Sequence, residues 1–132
     1  MTIEDVRIAI ADACATITGW RASPYVRDQV SAPELQVARG PIVYDVAMGR
    51  EADEYHYTIT AYVQRDSERA GQMALQKLCE PSGTGSLKTV LEADTALRAL
   101  VDFVRVTNAS EDRNATIGLI DYLVVDFEVE IG

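Results

Sequence analysis

The sequence predicts a single α+β domain over residues 1–132. We expect a mainly antiparallel, mixed sheet of about four to five strands, with two longer helices and one short helix packed on one face. Three observations predict this class. Apolar residues recur at helical spacing over 3–17, residues 54–64 alternate with a period of two, and the segment 119–131 has one apolar face whose opposite face ends in acidic residues. Strands grouped in hairpins, with helices between the groups, are typical of α+β domains.

The chain is expected to begin with a helix and an ordered loop. Thr2 and Asp5 form a start similar to a capping box, and the helical spacing then continues over 3–17. The segment 20–33 mixes prolines and serines with charged residues, which indicates a loop. Two aromatic side chains should hold this loop against the domain: Trp20 and Tyr25.

A β-hairpin is predicted in the middle of the chain. A short strand at 35–37 precedes a turn at 40–41, and a second strand follows over 42–48. The polar segment 49–53 is turn-like. Residues 54–64 are rich in tyrosine and threonine and alternate with a period of two, which is a strong strand signal. The strands 42–48 and 54–64 therefore pair.

Two further helices are predicted after this hairpin. Asp66 is a favourable N-cap for a helix that continues to about Cys79. After a break at 81–83, Ser86 is the expected N-cap of a short helix over 87–93. The apolar residues expected to face inward on the longer helix are Ala70, Met73, Ala74, Leu75 and Leu78.

The last third of the chain is predicted to contain two strands separated by a loop. The first, over about 100–107, carries apolar residues at both alternating positions, so much of both faces should be buried. Residues 108–118 are polar and predict an exposed loop. The last strand, over about 119–131, has one apolar face, which consists of Leu123, Val125, Phe127, Val129 and Ile131.

Composition excludes several classes of protein. The net charge is −9, and the twelve basic residues are scattered, so no basic stripe for reading nucleic acid is present. No run approaches the ~20 apolar residues of a membrane span. The N-terminal residues lack the basic and apolar regions of a signal peptide, which favours a cytoplasmic product. Cys14 and Cys79 occupy apolar positions of predicted helices, and we expect both to be buried, reduced thiols.

The segment 81–88 looks like a phosphate-binding loop but does not fit one. A P-loop requires G-x-x-x-x-G-K-[ST] after a strand, because backbone N–H groups cradle the phosphates and the lysine reaches their far side. Here Gly85 is followed by Ser86 and Leu87, so Lys88 comes two residues too late. The preceding segment also has helical spacing. No nucleotide site and no cofactor are therefore predicted.

Catalytic chemistry has few candidate residues in this sequence. His56 is the only histidine and lies within a predicted strand, with no cysteine or acidic residue at an evident ligand spacing. We interpret it as a residue on the polar or subunit-contacting face. The last strand places three carboxylates on one face, about 6–7 Å apart: Asp126, Glu128 and Glu130. They could serve acid–base chemistry or a divalent metal, but a solvated face that discourages edge pairing is the favoured interpretation. No catalytic or metal-binding residue is predicted.

Several features occur in an order that resembles a known family. A helix ends in a Leu-Cys pair and leads through a Gly-Ser turn and a short helix to a segment of the form L-x-x-x-V-D-x-V-x-V. A variable loop, a tyrosine and an apolar strand follow, and Tyr44-Asp45 precedes the 49–53 turn upstream. This order resembles the tail terminator and related tail-completion proteins of long-tailed bacteriophages, over about residues 1–131. The matching positions are Leu78-Cys79, Gly85-Ser86, Leu97, Val101-Asp102, Val104, Val106 and Tyr122.

The resemblance implies a structural virion protein with no enzymatic activity. It would form a hexameric ring that ends polymerisation of the tail tube and joins the tube to the head. Its partners would be further copies of itself, the major tail-tube protein and a head–tail connector or stopper, with DNA only as non-specific cargo. The protein would be made in the bacterial cytoplasm and reside at the head-proximal end of the tail. The acidic face at 126–130 could line the channel.

Candidate assembly contacts fall in three regions. These are the 49–53 turn, the 108–118 loop and the tyrosines of the central strand, because loops vary between partners and tyrosine combines a large ring with a polar tip. Asn108 and Asn114 also begin glycosylation-like triplets, which here mark the loop as exposed. The candidates are Gly49, Arg50, Glu51, Asp53, Tyr55, Tyr57, Tyr62, Asn108, Glu111, Asp112, Arg113 and Asn114.

Two alternatives stay open at the level of sequence. One is another head–tail joining protein, such as a connector, a stopper or a minor tail protein. The other, from a different class, is a small enzyme that uses the acidic strand face or His56. For the tyrosines, packing in the core is the alternative to an assembly contact, and it is favoured for at least one of the two alternating sets.

Overall fold

The computed structural model describes residues 3–26, 33–44, 53–64, 68–83, 85–101 and 103–132. Helices and strands alternate in groups along these residues, as the sequence predicts. In chain order they are α1 (Ile3–Ala15), β1 (Arg21–Ser23), β2 (Glu34–Val43), β3 (Glu54–Gln64), α2 (Glu68–Cys79), α3 (Leu87–Ala93), α4 (Thr95–Leu100), β4 (Val104–Ala109), β5 (Arg113–Ile117) and β6 (Ile120–Ile131).

The predicted α+β class is confirmed. Within the described residues the sheet is mixed and has six strands, in the order β1-β2-β3-β6-β4, with β5 also paired to β6. The β1–β2 pair is parallel and the others are antiparallel. The prediction of four to five strands is therefore too low, because two short strands, β1 and β5, were assigned to loops.

Strands β3 and β6 form the centre of the sheet. They pair without interruption from Tyr55 opposite Ile131 to Gln64 opposite Tyr122. Because side chains alternate between the two faces of a strand, every second residue of each strand points to the same side. The buried side of this pair includes Ile59 and Phe127, which stand directly opposite each other. The predicted apolar face of the last strand is thus confirmed.

The helices cover this apolar face. Helix α1 packs on β1 and β2, α2 packs on β3 and β6, and α3 packs on β4. Apolar surface removed from water between the helices and the sheet provides the main favourable free energy of folding. The largest completely buried aliphatic side chains of this core are Ile10, Leu35, Ile59, Leu75, Leu78, Leu87, Leu91, Leu97 and Ile131.

Strand β2 runs through the predicted turn at 40–41. The predicted strand at 35–37 and the beginning of the one predicted over 42–48 belong to one strand, Glu34–Val43, whose register against β3 shifts between Arg39 and Ile42, while residues 45–48 lie outside the described residues. Proline cannot donate a ladder hydrogen bond, so Pro41 is accommodated where the pairing is irregular. The hairpin of β2 and β3 is confirmed. Of the predicted 49–53 turn, Gly49, Arg50, Glu51 and Ala52 lie outside the described residues.

The segment after α1 is partly a strand. Ser23 ends β1, which pairs in parallel with the start of β2, so the prediction of a loop throughout 20–33 is wrong. The predicted anchoring by aromatic residues is confirmed. Trp20 packs against the core, and the Tyr25 ring lies 4.8 Å below the guanidinium carbon of Arg7. The Tyr25 hydroxyl also donates a hydrogen bond to Glu4.

The predicted strand over 100–107 begins later and is buried on one face only. Residues 95–100 form α4, whose N-cap is Asp94; its carboxylate accepts a hydrogen bond from the Leu97 N–H at 2.8 Å. Strand β4 starts at Val104 and alternates between buried and exposed residues up to Thr107. The apolar run therefore contains the end of a helix followed by a strand. An Asp N-cap was the signal that could have separated them.

The predicted loop over 108–118 contains a strand. Residues 113–117 form β5, which pairs with the first part of β6, and β4 extends to Ala109. A two-residue turn of Gly118 and Leu119 joins β5 to β6. Gly118 has φ of 66°, a conformation that costs glycine little, which explains why the chain can reverse here.

Helix α2 presents a different face to the core than predicted. Leu75 and Leu78 are buried as expected and Ala74 is partly buried, but Ala70 and Met73 are exposed. The buried position of the first turn is Gly71 instead. A glycine at this position allows the helix to approach β3 closely. A prediction that places only larger apolar side chains against the core therefore selects the wrong residues in the first turn.

The two cysteines also differ in environment. Both are free thiols within the described residues, but Cys14 is completely buried whereas Cys79 is exposed. Burial, with a smaller contribution from the charge of Asp94, raises the pKa of the Cys14 thiol to about 12. Cys14 is therefore a packing residue, and the prediction that Cys79 is buried is wrong.

Candidate functional site

The face of the sheet opposite the helices carries the three predicted carboxylates. Asp126, Glu128 and Glu130 alternate along β6 on this face, as predicted, and stand opposite Thr60, Thr58 and His56 of β3. Their exposure differs, because only Glu128 is classed as exposed while the other two are half-buried. The same face is apolar at the beginning of β6, where Tyr122 and Val124 are buried.

A cluster of three ionisable side chains lies at one end of this face. Glu54 and His56 are two residues apart on β3, and Glu130 is directly opposite His56 on β6. The His56 Nε2 atom is 3.2 Å from a carboxylate oxygen of Glu54. One potential ligand atom from each of the three residues lies within 4.8 Å of the others. The expectation that His56 has no acidic neighbour at a ligand spacing is therefore wrong.

A glycine on β2 faces this cluster. Gly40 lies in the irregular part of β2, beside His56. A Cβ atom built on Gly40 would be 3.0 Å from the His56 carbonyl oxygen and 3.3 Å from its Cβ. Any larger residue at this position would therefore clash with the backbone and the Cβ atom of His56. Gly40 therefore allows β2 to lie close to the backbone of His56.

A second polar cluster surrounds Asp126. Arg113 reaches its carboxylate with both Nε and Nη2, at 3.0 to 3.3 Å, and the Thr60 hydroxyl donates to it at 2.7 Å. Ser110 bonds to the Asp126 backbone in both directions, at 2.8 and 2.9 Å. These contacts hold β5 and the preceding loop against β6. Asp126 is thus a structural residue whose charge is compensated by Arg113.

The three candidate tyrosines do not form one aromatic face. Tyr57 is buried in the core, and its hydroxyl donates to the Ile3 carbonyl oxygen at 3.3 Å. Tyr55 is half-buried on the same side of β3. Tyr62 is on the opposite side, where its ring meets Tyr122 edge to face with centroids 6.0 Å apart. Tyr57 therefore packs inside the subunit and is unavailable as a contact, as the core interpretation of one alternating set anticipates.

The remaining candidates within the described residues are Asp53 and five residues in or beside the connection between β4 and β5. Asp53, which precedes β3, is half-buried, whereas the candidates of the former loop are exposed: Asn108, Glu111, Asp112, Arg113 and Asn114. Sequence reasoning missed the apolar tip of the hairpin formed by β5 and β6. Leu119 has a relative exposure of 101%, and the adjacent Ile120 has 48%. The signal was available, because Ile117-Gly118-Leu119-Ile120 places a turn glycine between apolar residues.

The segment that looks like a phosphate-binding loop serves as a helix cap. Ser86 is the N-cap of α3, as predicted; its hydroxyl accepts from the Thr89 N–H at 3.3 Å and donates to the Glu80 carbonyl oxygen at 2.5 Å. The Lys88 ammonium is 2.5 Å from the Glu92 carboxylate. The lysine that would contact a phosphate is therefore engaged within the domain.

The Glu92 carboxylate connects α3 to β4. It accepts hydrogen bonds from Lys88 and from the Val106 N–H, the latter at 3.0 Å. Burial alone would raise the pKa of this carboxyl, but the hydrogen bonds from Lys88 and Val106, with the charges of Lys88 and Arg105, outweigh it and hold the pKa below its usual value.

Glu92→Ala is expected to destabilise the domain by about 1–2 kcal/mol near neutral pH. Because the folded pKa is below the unfolded one, the stabilisation is present above the ordinary carboxyl pKa and is lost as the pH falls through the folded pKa. The difference between wild type and variant should therefore shrink at about pH 3. Urea unfolding at both pH values measures it, with Glu128→Ala as the exposed control. An unchanged difference at low pH would contradict the role of the charge.

A shallow cavity lies on the helical side of the domain. Its volume is about 180 Å³, and it is lined by Thr16, Ile17, Thr18, Trp20, Lys77, Leu78 and Gly85. The lining contains no carboxylate, histidine or cysteine. Nucleophilic mechanisms that depend on a histidine or a cysteine therefore have no candidate residue in this cavity.

Two comparisons with known proteins found no match. No protein-family model matches the chain, and no curated protein matches it at a significant level. Among the described residues, none of the helices combines the length and the apolar character needed to cross a membrane. The surfaces described above and the order of sequence features are therefore the features that indicate a function.

Proposed function

We propose that the chain is a structural virion protein of a long-tailed bacteriophage, a tail terminator that forms a hexameric ring on the tail tube. Two lines of reasoning support the proposal. The first is the order of sequence features shared with this family. The second, and the observation that carries it, is the exposed apolar tip of the β5–β6 hairpin, at Leu119 and Ile120. Contiguous exposed apolar residues commonly mark a protein–protein contact.

The hairpin is suited to reach a neighbouring subunit. A ring requires head-to-tail contacts, in which one patch of each subunit meets a different patch of the next. The β5–β6 hairpin presents its tip to solvent while Arg113 and Asp126 fix its base to the sheet. A fixed arm loses little conformational entropy when it binds, which favours association. We therefore assign the hairpin tip to the contact between copies of this chain.

Other surfaces would serve the remaining contacts of the ring. The acidic excess of the chain, −9 overall, suits a ring whose channel DNA crosses without binding. On the acidic face, Glu128 is the exposed carboxylate, because Asp126 is paired with Arg113 and Glu130 lies beside His56. The two open ends of the ring would bind the last ring of tail-tube protein and the head–tail connector or stopper.

The proposal is tested by adding the purified protein to polymerising tail-tube subunits. We expect light scattering to show rings or ring–tube complexes, and electron microscopy to show tubes that are capped and stop growing. A chain that stays monomeric when mixed, while tubes grow beyond their normal length, would exclude a terminator.

Another head–tail joining protein remains the second candidate, since the same hairpin would serve a ring at a neighbouring position. Binding to a connector protein, with no effect on tube growth, would favour that alternative. The enzyme alternative predicts an activity that His56→Ala or Glu128→Gln abolishes while the fold survives.

A further inference from the structure

We propose that Glu54, His56 and Glu130 bind a divalent transition-metal ion of the Zn²⁺ class on the polar face of the sheet. This inference is independent of the proposed function. It starts from the position of the three residues in the central strands. Glu54 and His56 are neighbours on one face of β3, and Glu130 is in direct register with His56 on β6. Cross-strand neighbours of this kind have Cβ atoms about 4.5–5.5 Å apart, so their side chains can meet.

The distances between the side chains suit an ion. Ligand atoms bound to Zn²⁺ at about 2.0–2.2 Å are separated from each other by about 3–3.5 Å in a tetrahedral arrangement. The His56 Nε2 atom and a Glu54 carboxylate oxygen are already 3.2 Å apart. The third ligand atom, from Glu130, lies within 4.8 Å of both. A side-chain rotation that moves a Glu130 carboxylate oxygen by about 1 Å would place that oxygen in the same coordination sphere.

The chemistry of the cluster distinguishes it from an ordinary acidic surface. An imidazole nitrogen with carboxylate oxygens is a donor set typical of Zn²⁺ and related ions, whereas Mg²⁺ and Ca²⁺ prefer oxygen ligands alone. The His56 and Glu54 side chains are 29% and 27% exposed, so they are partly removed from water yet reachable. Two carboxylates around a neutral imidazole carry two negative charges, which a divalent cation would neutralise.

One cationic residue stands next to the cluster in the sheet. Arg105 on β4 lies opposite Glu130, but no ion pair joins the two in the part of the chain that the structure describes. Three protein ligands correspond to a site in which water or a fourth group completes the coordination.

The test is metal binding by the tag-free, metal-free full chain. Calorimetric titration with Zn²⁺ should show one ion per chain in the micromolar range or tighter, and Co²⁺ should give the visible absorption of a bound ion. Mg²⁺ and Ca²⁺ should not compete. Because His56 is the only histidine, its imidazole ¹⁵N signals can be followed without ambiguity, and they should shift when Zn²⁺ is added. Zn²⁺ should also raise the thermal midpoint of unfolding, since it binds the folded state.

Variants locate the site. Loss of even outer-shell partners weakens metal binding by about 10–100-fold, so His56→Ala should weaken it by more than about 100-fold, and Glu130→Gln by about 10-fold or more. Glu128→Gln is the matched control, because Glu128 is two residues away on the same face of β6 and outside the cluster. Thermal unfolding without metal confirms that each variant is folded.

Three results would overturn the proposal. The first is the lack of one-to-one binding of Zn²⁺ or Co²⁺ to the wild-type chain. The second is a loss of affinity in Glu128→Gln equal to that in Glu130→Gln, which would indicate diffuse attraction to an acidic face. The third is binding that leaves the His56 imidazole signals unchanged.

Discussion

Replacing Leu119 with glutamate is expected to abolish ring assembly and tube capping while the subunit stays folded. Leu119 has no buried surface to lose, so the thermal midpoint of the monomer should stay within about 2 °C of wild type. In the ring, the variant would place a charge where an apolar side chain is covered by the neighbour. Centrally placed contacts of this kind contribute at least about 2 kcal/mol, or roughly 30-fold in affinity, and the loss recurs at every contact around the ring.

Met73→Glu is the matched control for this experiment. Met73 is also an exposed apolar residue, at 60%, and it lies on α2 instead of the hairpin. The substitution adds the same charge, so it reports any effect of net charge alone on assembly. Light scattering should show that Met73→Glu assembles as the wild type does while Leu119→Glu does not. Equal assembly of the two variants would show that the hairpin tip does not form the contact between copies of the chain.

Phe127→Ala is expected to reduce the free energy of unfolding by about 3–5 kcal/mol. Phe127 is 2% exposed and lies in the middle of β6, opposite Ile59 on β3 and Ala109 on β4. Its removal leaves a cavity that rigid neighbouring strands cannot fill. Natural domains are stable by about 5–15 kcal/mol, so the variant should be close to unfolding at physiological temperature.

The second phenylalanine of the chain provides the control. Phe103 is 42% exposed. Its hydrogen bonds are made by backbone groups, so the substitution keeps them. Phe103→Ala should therefore cost about 1 kcal/mol. Urea unfolding followed by the fluorescence of Trp20, the only tryptophan, measures both variants. Equal losses in the two variants would show that the centre of the sheet does not hold the domain together as described.

The parts of the fold that could be predicted are those with long, regular patterns. Strand β3 alternates over most of its eleven residues and β6 alternates from Val125 onward, and the bounds of both strands follow closely from the sequence. Helix α1 is equally clear. The strand predicted over 100–107 includes the last residue of α4, because apolar residues at both alternating positions continue from Leu100 to Val106. An apolar run of that length does not distinguish a buried helix end from a strand.

The short strands could not be predicted for a different reason. Strand β1 has three residues and β5 has five, and most of them are polar, so neither is long enough for a periodic pattern to be recognised. They form strands because β2 and β6 offer unpaired edges, and such pairing depends on tertiary context more than on intrinsic propensity. The proximity of Glu54, His56 and Glu130 was hidden for the same reason, since the register of β3 against β6 is a tertiary property. The mutual position of Asp126 and Arg113 depends on it as well.

The position of β6 has a consequence for synthesis of the chain on the ribosome. This strand pairs with β3 along one edge and with β4 and β5 along the other, so it joins the two halves of the sheet. Until residues 120–131 have emerged, β3 lacks its central partner and the apolar face of the early hairpin is only partly covered. The nascent polypeptide is then most exposed to aggregation or to chaperone capture. Completion of the sheet would therefore come late, and subunits still being translated could not present a finished β5–β6 arm.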